Sequence, residues 1–281
     1  MTPERESFIV GLRVRHASPK TVEMYVKVIE EFSNFHDKSP LAMVEEDVQT
    51  FLFHCVNIRQ FSPATTNLYI SAMRSFYAIV DPLNPIMNHF RKLHVEKKIP
   101  HILSMGEVRK IVNAVPTVKY RAAIAVMYSG GLRIHECLTL QPKHIDRSRM
   151  AIRVENGKGN KDRYTILSPR ALSLLEQHYR MNRPRLFLFE GRDMRPMCDT
   201  SVSTALKDAA AKVGINRPVY PHLLRHCFAT HLLENGVELE IIQKMMGHRY
   251  ISTTAHYAHI TPEMLRKVVS PLDTLMGRQH G

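Results

Sequence analysis

The chain has 281 residues, of which 44% are apolar, too many for the usual single core, so two domains are expected. No apolar run of about 18 residues occurs, which argues against a helical membrane span. Lysine and arginine outnumber aspartate and glutamate by 39 to 26, a net charge of +13. Residues 1–100 hold 12 basic and 11 acidic residues, so nearly all of that surplus belongs to residues 101–281. A basic half of this size suggests a polyanionic partner, most often nucleic acid, although charge alone supplies neither sequence specificity nor chemistry. The charged start MTPERESFIV lacks the apolar core of a secretory leader. Cys55, Cys137, Cys198 and Cys227 are widely spaced with no CxxC pair. Both features point to the cytoplasm.

Helix starts recur as a capping hydroxyl followed by proline: Ser18-Pro19, Ser62-Pro63, Ser168-Pro169 and Thr261-Pro262. After the first, Val22, Tyr25, Val26, Ile29 and Phe32 fall at helical spacing; after the second, ATTNLYISAMRSFYAIV reads the same way. Shorter patterns around Glu4–Val14 and Met43–Cys55 complete a small four-helix domain. The basic, proline-ended RKLHVEKKIP reads as a linker, and the capping box Ser104-Met105-Gly106-Glu107 opens a new helix beyond it. The expected division is therefore residues 1–90, a linker over 91–101, and a second domain over 102–281. In that domain AIRVEN (151–156) and DRYTILS (162–168) alternate about a glycine-rich turn carrying Lys158 and Lys161, which predicts a hairpin. RLFLFE (185–190) reads as a further strand or an extended segment, and from residue 199 onward the patterns are helical. The fold class expected is mainly α with a small β-sheet.

Several chemistries lack their residues. There is no GxxxxGK[ST] phosphate loop, and GKGNKD is too short to be one. His135-Glu136 has no second histidine for an HExxH site, and Cys227-x3-His231 has no matching half-site, so core packing is its reading. Glu45-Glu46-Asp47 reads as solvated surface.

The remaining candidates are cations, histidines and one tyrosine. His222 and Arg225 share a helix face at a spacing of three in PHLLRHCFATHLL, and Arg133 follows two glycines in SGGLRIHECLTL with Glu136 one turn later. Taken singly, each has an ordinary role: a solvated face, a capped turn, an arginine paired with Glu136, a loop lysine at Lys158. Together they match one reaction. Attack on a phosphodiester builds negative charge on the non-bridging oxygens, and guanidinium forks meet that geometry bidentately. A lysine at a loop tip could protonate a leaving 5′-oxygen, and a tyrosine can hold phosphate as an ester. His222 is the candidate base, since a phenol of pKa about 10 needs one near neutrality.

The segments GGLRIHECLTL, ENGKGNKDRYTIL, PHLLRHCFATHLLENG and MMGHRYISTTAHYAHI, in this order, resemble the tyrosine recombinase (phage integrase) family. The likeness is to its short Xer-like and insertion-element members; the extra insertion of integron integrases is missing. SPKTVEMYVKVIEEF and SPATTNLYISAMRSFY are similar to the family's core-binding domain. The resemblance implies a SAM-like four-helix core-binding domain and a mixed α/β, mostly helical catalytic domain of the DNA breaking–rejoining type, the two closing on the duplex as a C. It makes Arg133 and Arg225 the phosphate clamp, with Glu136 orienting Arg133. Lys158 becomes the general acid, His222 the proton acceptor, His248 a further phosphate ligand and Tyr257 the nucleophile. Tyr250 is the nearby competitor, but its spacing does not match. The implied reaction is site-specific cleavage and rejoining through a 3′-phosphotyrosyl link, with no nucleotide or metal cofactor. The implied partners are double-stranded DNA and three further copies of the chain around two sites. TPEMLRKVVSPLDTLM, after Tyr257, would pack on a neighbouring protomer or on its own. Lys20, Asn67, Ser71 and Arg74 on the capped helices, and Lys161 in the hairpin turn, are candidate DNA contacts. Two rivals share parts of this pattern: a type IB topoisomerase and a catalytically silent DNA-binding regulator.

Overall fold

The computed structural model describes residues 2–96, 101–155 and 162–247. The chain divides into two compact units, Met1–Lys98 and Ile99–Gly281. Among the described residues no helix is long and apolar enough to cross a membrane.

The first unit holds four helices: α1 (Pro3–Val14), α2 (Pro19–His36), α3 (Glu45–Phe53) and α4 (Pro63–Val80). The Ser-Pro starts act as expected. Ser18 Oγ accepts the Thr21 N–H at 3.1 Å and Ser62 Oγ accepts the Thr65 N–H at 3.2 Å, while proline fills a position whose N–H would have no partner. Phe8, Phe32, Phe51, Met73 and Phe76 form the centre of the core, with Phe8 and Phe76 edge to face at 5.2 Å. Glu45 and Glu46 are exposed, as their reading as solvated surface has it, and only Asp47 departs from that reading. Asp47 folds back to accept the Val44 N–H at 3.0 Å and pairs with Lys38 at 3.2 Å, so it closes the first turn of α3.

The second unit places helices around a small sheet. In chain order come α5 (Met105–Ala114), α6 (Val118–Gly130), α7 (Ile134–Leu138), β1 (Ile145–Asp146), β2 (Ala151–Val154) and β3 (Arg163–Ile166). Then follow α8 (Pro169–Asn182), α9 (Asp199–Lys212), α10 (Pro221–Glu234) and α11 (Leu239–Met246). The strands pair antiparallel in the order β1-β2-β3, with Ile152 opposite Thr165 and Val154 opposite Arg163. The Ser104–Glu107 box at the start of α5 is complete, both reciprocal hydrogen bonds being made at 3.2 and 2.8 Å. Helix α6 is apolar nearly all round and Ala122 to Met127 are all buried, as a helix wrapped on every side must be.

RLFLFE forms no strand: it bends from Arg185 to Phe189, and only Glu190 makes an isolated antiparallel bridge, with Pro196. It is a turn in which the Glu190 carboxylate accepts the backbone N–H groups of Arg185 and Phe187 at 2.8 and 3.2 Å, and that of Leu186. Its apolar pattern arises because Leu188 and Phe189 drop into the core, with the Leu188 N–H donating to Leu140 O at 2.7 Å.

Gly131 ends α6 at φ +59°, and a Cβ there would lie 2.3 Å from Cδ1 of Phe228. Both the left-handed backbone and the ring demand glycine. Gly131→Ala should cost about 2–4 kcal/mol of stability in chemical denaturation, combining strain with overpacking.

Candidate active site

The end of α6 and the start of α7 set Arg133. The chain turns at Gly131, buries Leu132 and begins α7 directly after Arg133. Glu136, at the third position of α7, reaches back to accept the Arg133 backbone N–H at 2.9 Å through Oε2. Its Oε1 accepts the Arg133 guanidinium at 2.7 Å. The Glu136 side chain is 9% exposed and that of Arg133 29%.

Helix α10 brings in His222 and Arg225. Leu223, Leu224, Cys227 and Phe228 pack inward as the sequence suggests, but Arg225 does not share the exposed face with His222. It is fully buried, and its guanidinium donates to two backbone carbonyls, Gly131 O at the end of α6 and Met246 O at the end of α11. Those carbonyls carry the negative ends of two helices, which a buried cation satisfies. Arg225 Nη1 also lies 3.8 Å from Glu136 Oε2.

Strand β3 contributes a side chain that the sequence reading passed over. Arg163 donates from Nη1 and Nη2 to the two Glu136 oxygens at 3.0 and 2.7 Å, and from Nε to Met245 O at 2.7 Å. Three guanidiniums thus surround one carboxylate. Burial would raise the Glu136 carboxyl, but the Arg163 hydrogen bonds and charge, with the Arg133 N–H and charge, outweigh it and hold the group at about 2. Nothing in the sequence alone marks Arg163, because β3 turns Tyr164 and Ile166 outward, 59% and 44% exposed, and Thr165, on the same face as Arg163, inward at 3%. The apolar residues of the strand face outward and the polar ones inward, the reverse of the usual rule.

His222 keeps an exposed face. Partial burial of its ring, then the charges of Arg225 and Arg133, hold it below the ordinary histidine value, so the imidazole is neutral near pH 7. His226, one turn on, meets it edge to face at 4.6 Å; burial, then His222 and Arg225, push His226 down to about 4. Cys227 is buried, and His231 Nδ1 is 2.8 Å from the Tyr128 hydroxyl, tying α10 to α6. Among the described residues no group of three His, Cys, Asp or Glu side chains could hold a metal ion.

The structure therefore gathers Arg133, Glu136, His222 and Arg225. Lys158, Lys161, His248, Tyr250 and Tyr257 lie outside the described residues, as does the segment that follows them. In the first unit Lys20 is exposed at the start of α2. Asn67 spends its amide on the Leu93 backbone in both directions, at 2.9 and 2.7 Å. Arg74 donates to Phe90 O at 2.5 Å, and Ser71 donates to Asn67 O in its own helix at 2.7 Å. Asn67 and Arg74 strap the chain after α4 onto that helix, while Ser71 bonds only within it.

Comparison with known proteins defines the class. Residues 101–264 match the phage integrase family, and residues 5–80 match the SAM-like N-terminal domain of phage integrases. The chain belongs to the phage integrase family and is a tyrosine recombinase, a site-specific enzyme that cleaves and rejoins DNA. A Sinorhizobium fredii protein provisionally described as an integrase/recombinase is 36% identical over 98% of this chain and 90% of its own. Tyrosine recombinase XerC of Pediococcus pentosaceus is 32% identical over 90% of this chain and 91% of its own. In fold, the chain is similar to the XerH site-specific recombinase bound to its difH substrate, with a TM-score of 0.72 at 22% identity, covering 95% of this chain and 83% of that one.

The Glu136 carboxyl is lower in the folded chain than its ordinary 4.5, so its stabilising effect is complete above that value and is lost as pH falls toward about 2. Glu136→Gln should therefore melt below the parent at neutral pH. The gap between their melting temperatures should close as pH drops through that window.

Proposed function

We propose that Arg133 and Arg225 bind one DNA phosphate while the Tyr257 oxygen attacks its phosphorus. The new bond joins phosphorus to the phenolic oxygen and the bond to the 5′-oxygen breaks, leaving a 3′-phosphotyrosyl link. His222, neutral near pH 7, accepts the phenolic proton, and Lys158 gives a proton to the departing 5′-oxygen. His248 adds a further hydrogen bond to the phosphate. A 5′-hydroxyl from another strand then attacks the ester and restores the diester, so the energy of the original bond is kept and no nucleotide is consumed. Arg225 is fully covered, so contact with the phosphate requires a rearrangement that uncovers its guanidinium.

What supports this reading above all is the convergence of Arg133 and Arg225 on Glu136 beside a neutral His222. Guanidiniums already held together by Glu136 need little further ordering to stabilise the charge that develops on the phosphoryl oxygens. Within this reading, residues 1–90 form the core-binding domain, 91–101 the linker and 102–281 the catalytic domain. The substrate is duplex DNA, four protomers assemble on two sites, and the enzyme works in the cytoplasm. Lys20 and Lys161 are the DNA contacts it favours. Asn67 and Arg74 reach DNA only with the N–H donors their internal bonds leave over, and Ser71, whose one hydroxyl proton goes to Asn67 O, keeps no donor for a phosphate.

The deciding measurement is covalent trapping on a nicked duplex that loses its 5′-hydroxyl end once cut. The parent should form a DNA adduct that survives denaturing gels, and Tyr257→Phe should form none; an adduct in the Phe variant removes Tyr257 as nucleophile. In the same assay the acid limb of the cleavage rate should fall below pH 6.5, since the folded His222 titrates below that ordinary value.

A further inference from the structure

Arg163 holds three chain segments at once. It stands on β3, which follows the hairpin turn, and it closes a bidentate pair with Glu136 on α7. Its Nε is fixed to Met245 O in the last turn of α11. Its side chain is 8% exposed, and its stem lies against the backbone of Gly247, where a Cβ would come within 2.9 Å of Arg163 Cδ. Gly247 has φ +64°, so its bareness both ends α11 and admits the arginine.

The charge balance gives this arrangement its purpose. With Arg133, Arg163 and Arg225 around Glu136, one carboxylate faces three guanidiniums and the cluster keeps a surplus of two positive charges. Without Arg163 the carboxylate would be shared by the two phosphate-binding arginines alone, halving that surplus and pulling both toward Glu136. A nearly buried carboxylate that loses its bidentate partner is also destabilised in itself.

We infer that Arg163 is a positioning residue of the strand-cleavage centre. By taking up the Glu136 carboxylate, it leaves Arg133 and Arg225 their charge for the phosphate, and it fixes β3 to the end of α11. The inference rests on the reading of Arg133 and Arg225 as the phosphate clamp.

The test uses the full chain and a nicked duplex carrying a site recovered from random-sequence DNA by binding to the parent. Single-turnover adduct formation is measured at saturating DNA, at a temperature where circular dichroism shows every variant folded. Arg163→Met should slow adduct formation roughly 100-fold while changing the duplex dissociation constant less than about 3-fold. Adding Glu136→Gln to Arg163→Met should restore roughly 10-fold of that loss, because the uncompensated carboxylate is gone. Arg163→Lys should fall between parent and Arg163→Met, since it keeps the charge without the fork. A double variant no faster than Arg163→Met, or an Arg163→Met at the parental rate, overturns the inference. If Arg163→Met does not fold, Arg163→Lys decides: a slowed rate at unchanged affinity supports the inference and a parental rate refutes it. Arg133→Ala separates this from the reading beneath it. Parental cleavage by Arg133→Ala removes the clamp itself, whereas its loss beside an unaffected Arg163→Met removes only the role given to Arg163.

Discussion

The second unit is organised around a nearly buried carboxylate. Glu136 is nearly buried and ionised, a state that would be prohibitive in an apolar interior without compensating cations. Arg133 arrives from its own helix start, Arg163 from a strand and Arg225 from α10. No two of these three are neighbours in the chain. The electrostatic demand of one side chain therefore fixes the relative placement of α7, β3 and α10. The proposed phosphate clamp would need that rigidity, because its cations must be set before the charge they stabilise appears.

Two helix ends complete the arrangement. Helices α6 and α11 both stop at a left-handed glycine, and both aim carbonyls at Arg225. Each glycine is also bare for a steric reason, Gly131 against the Phe228 ring and Gly247 against the Arg163 stem. The same two residues thus end helices, admit a neighbour and orient acceptors for a buried cation. Arg225 is in this sense structural, since its guanidinium satisfies carbonyls that would otherwise be stranded.

Around this centre the packing is ordinary. Helix α6, alanine-rich and buried, packs against its neighbours, and the Tyr128–His231 hydrogen bond ties it to α10 at a point six residues beyond Arg225. The first unit has its own aromatic core, and its polar α4 side chains work within the unit. Asn67 and Arg74 hold the backbone at Leu93 and Phe90, the start of the segment that composition alone marks as a linker.

Local rules made much of this protein legible in its sequence. Serine–proline pairs and the Ser104 box set helix starts because a cap depends on residues only three apart. The helical spacings, the hairpin alternation and the ordered Arg, Lys, His-x-x-Arg, Gly-His and Tyr segments likewise lie along the chain, and they carried the family. Side-chain direction did not. Arg225 shares a helix face with His222 on paper, yet it turns into the interior because two helix ends and a carboxylate await it there. RLFLFE alternates like a strand but turns, since Glu190 captures its N–H groups. Arg163 was invisible because β3 carries its polar residues inward, and only Glu136, brought near from 27 residues earlier in the chain, makes that inversion favourable. Sequence determines what a segment can do by itself; which charge meets which is decided when distant segments share one dry space.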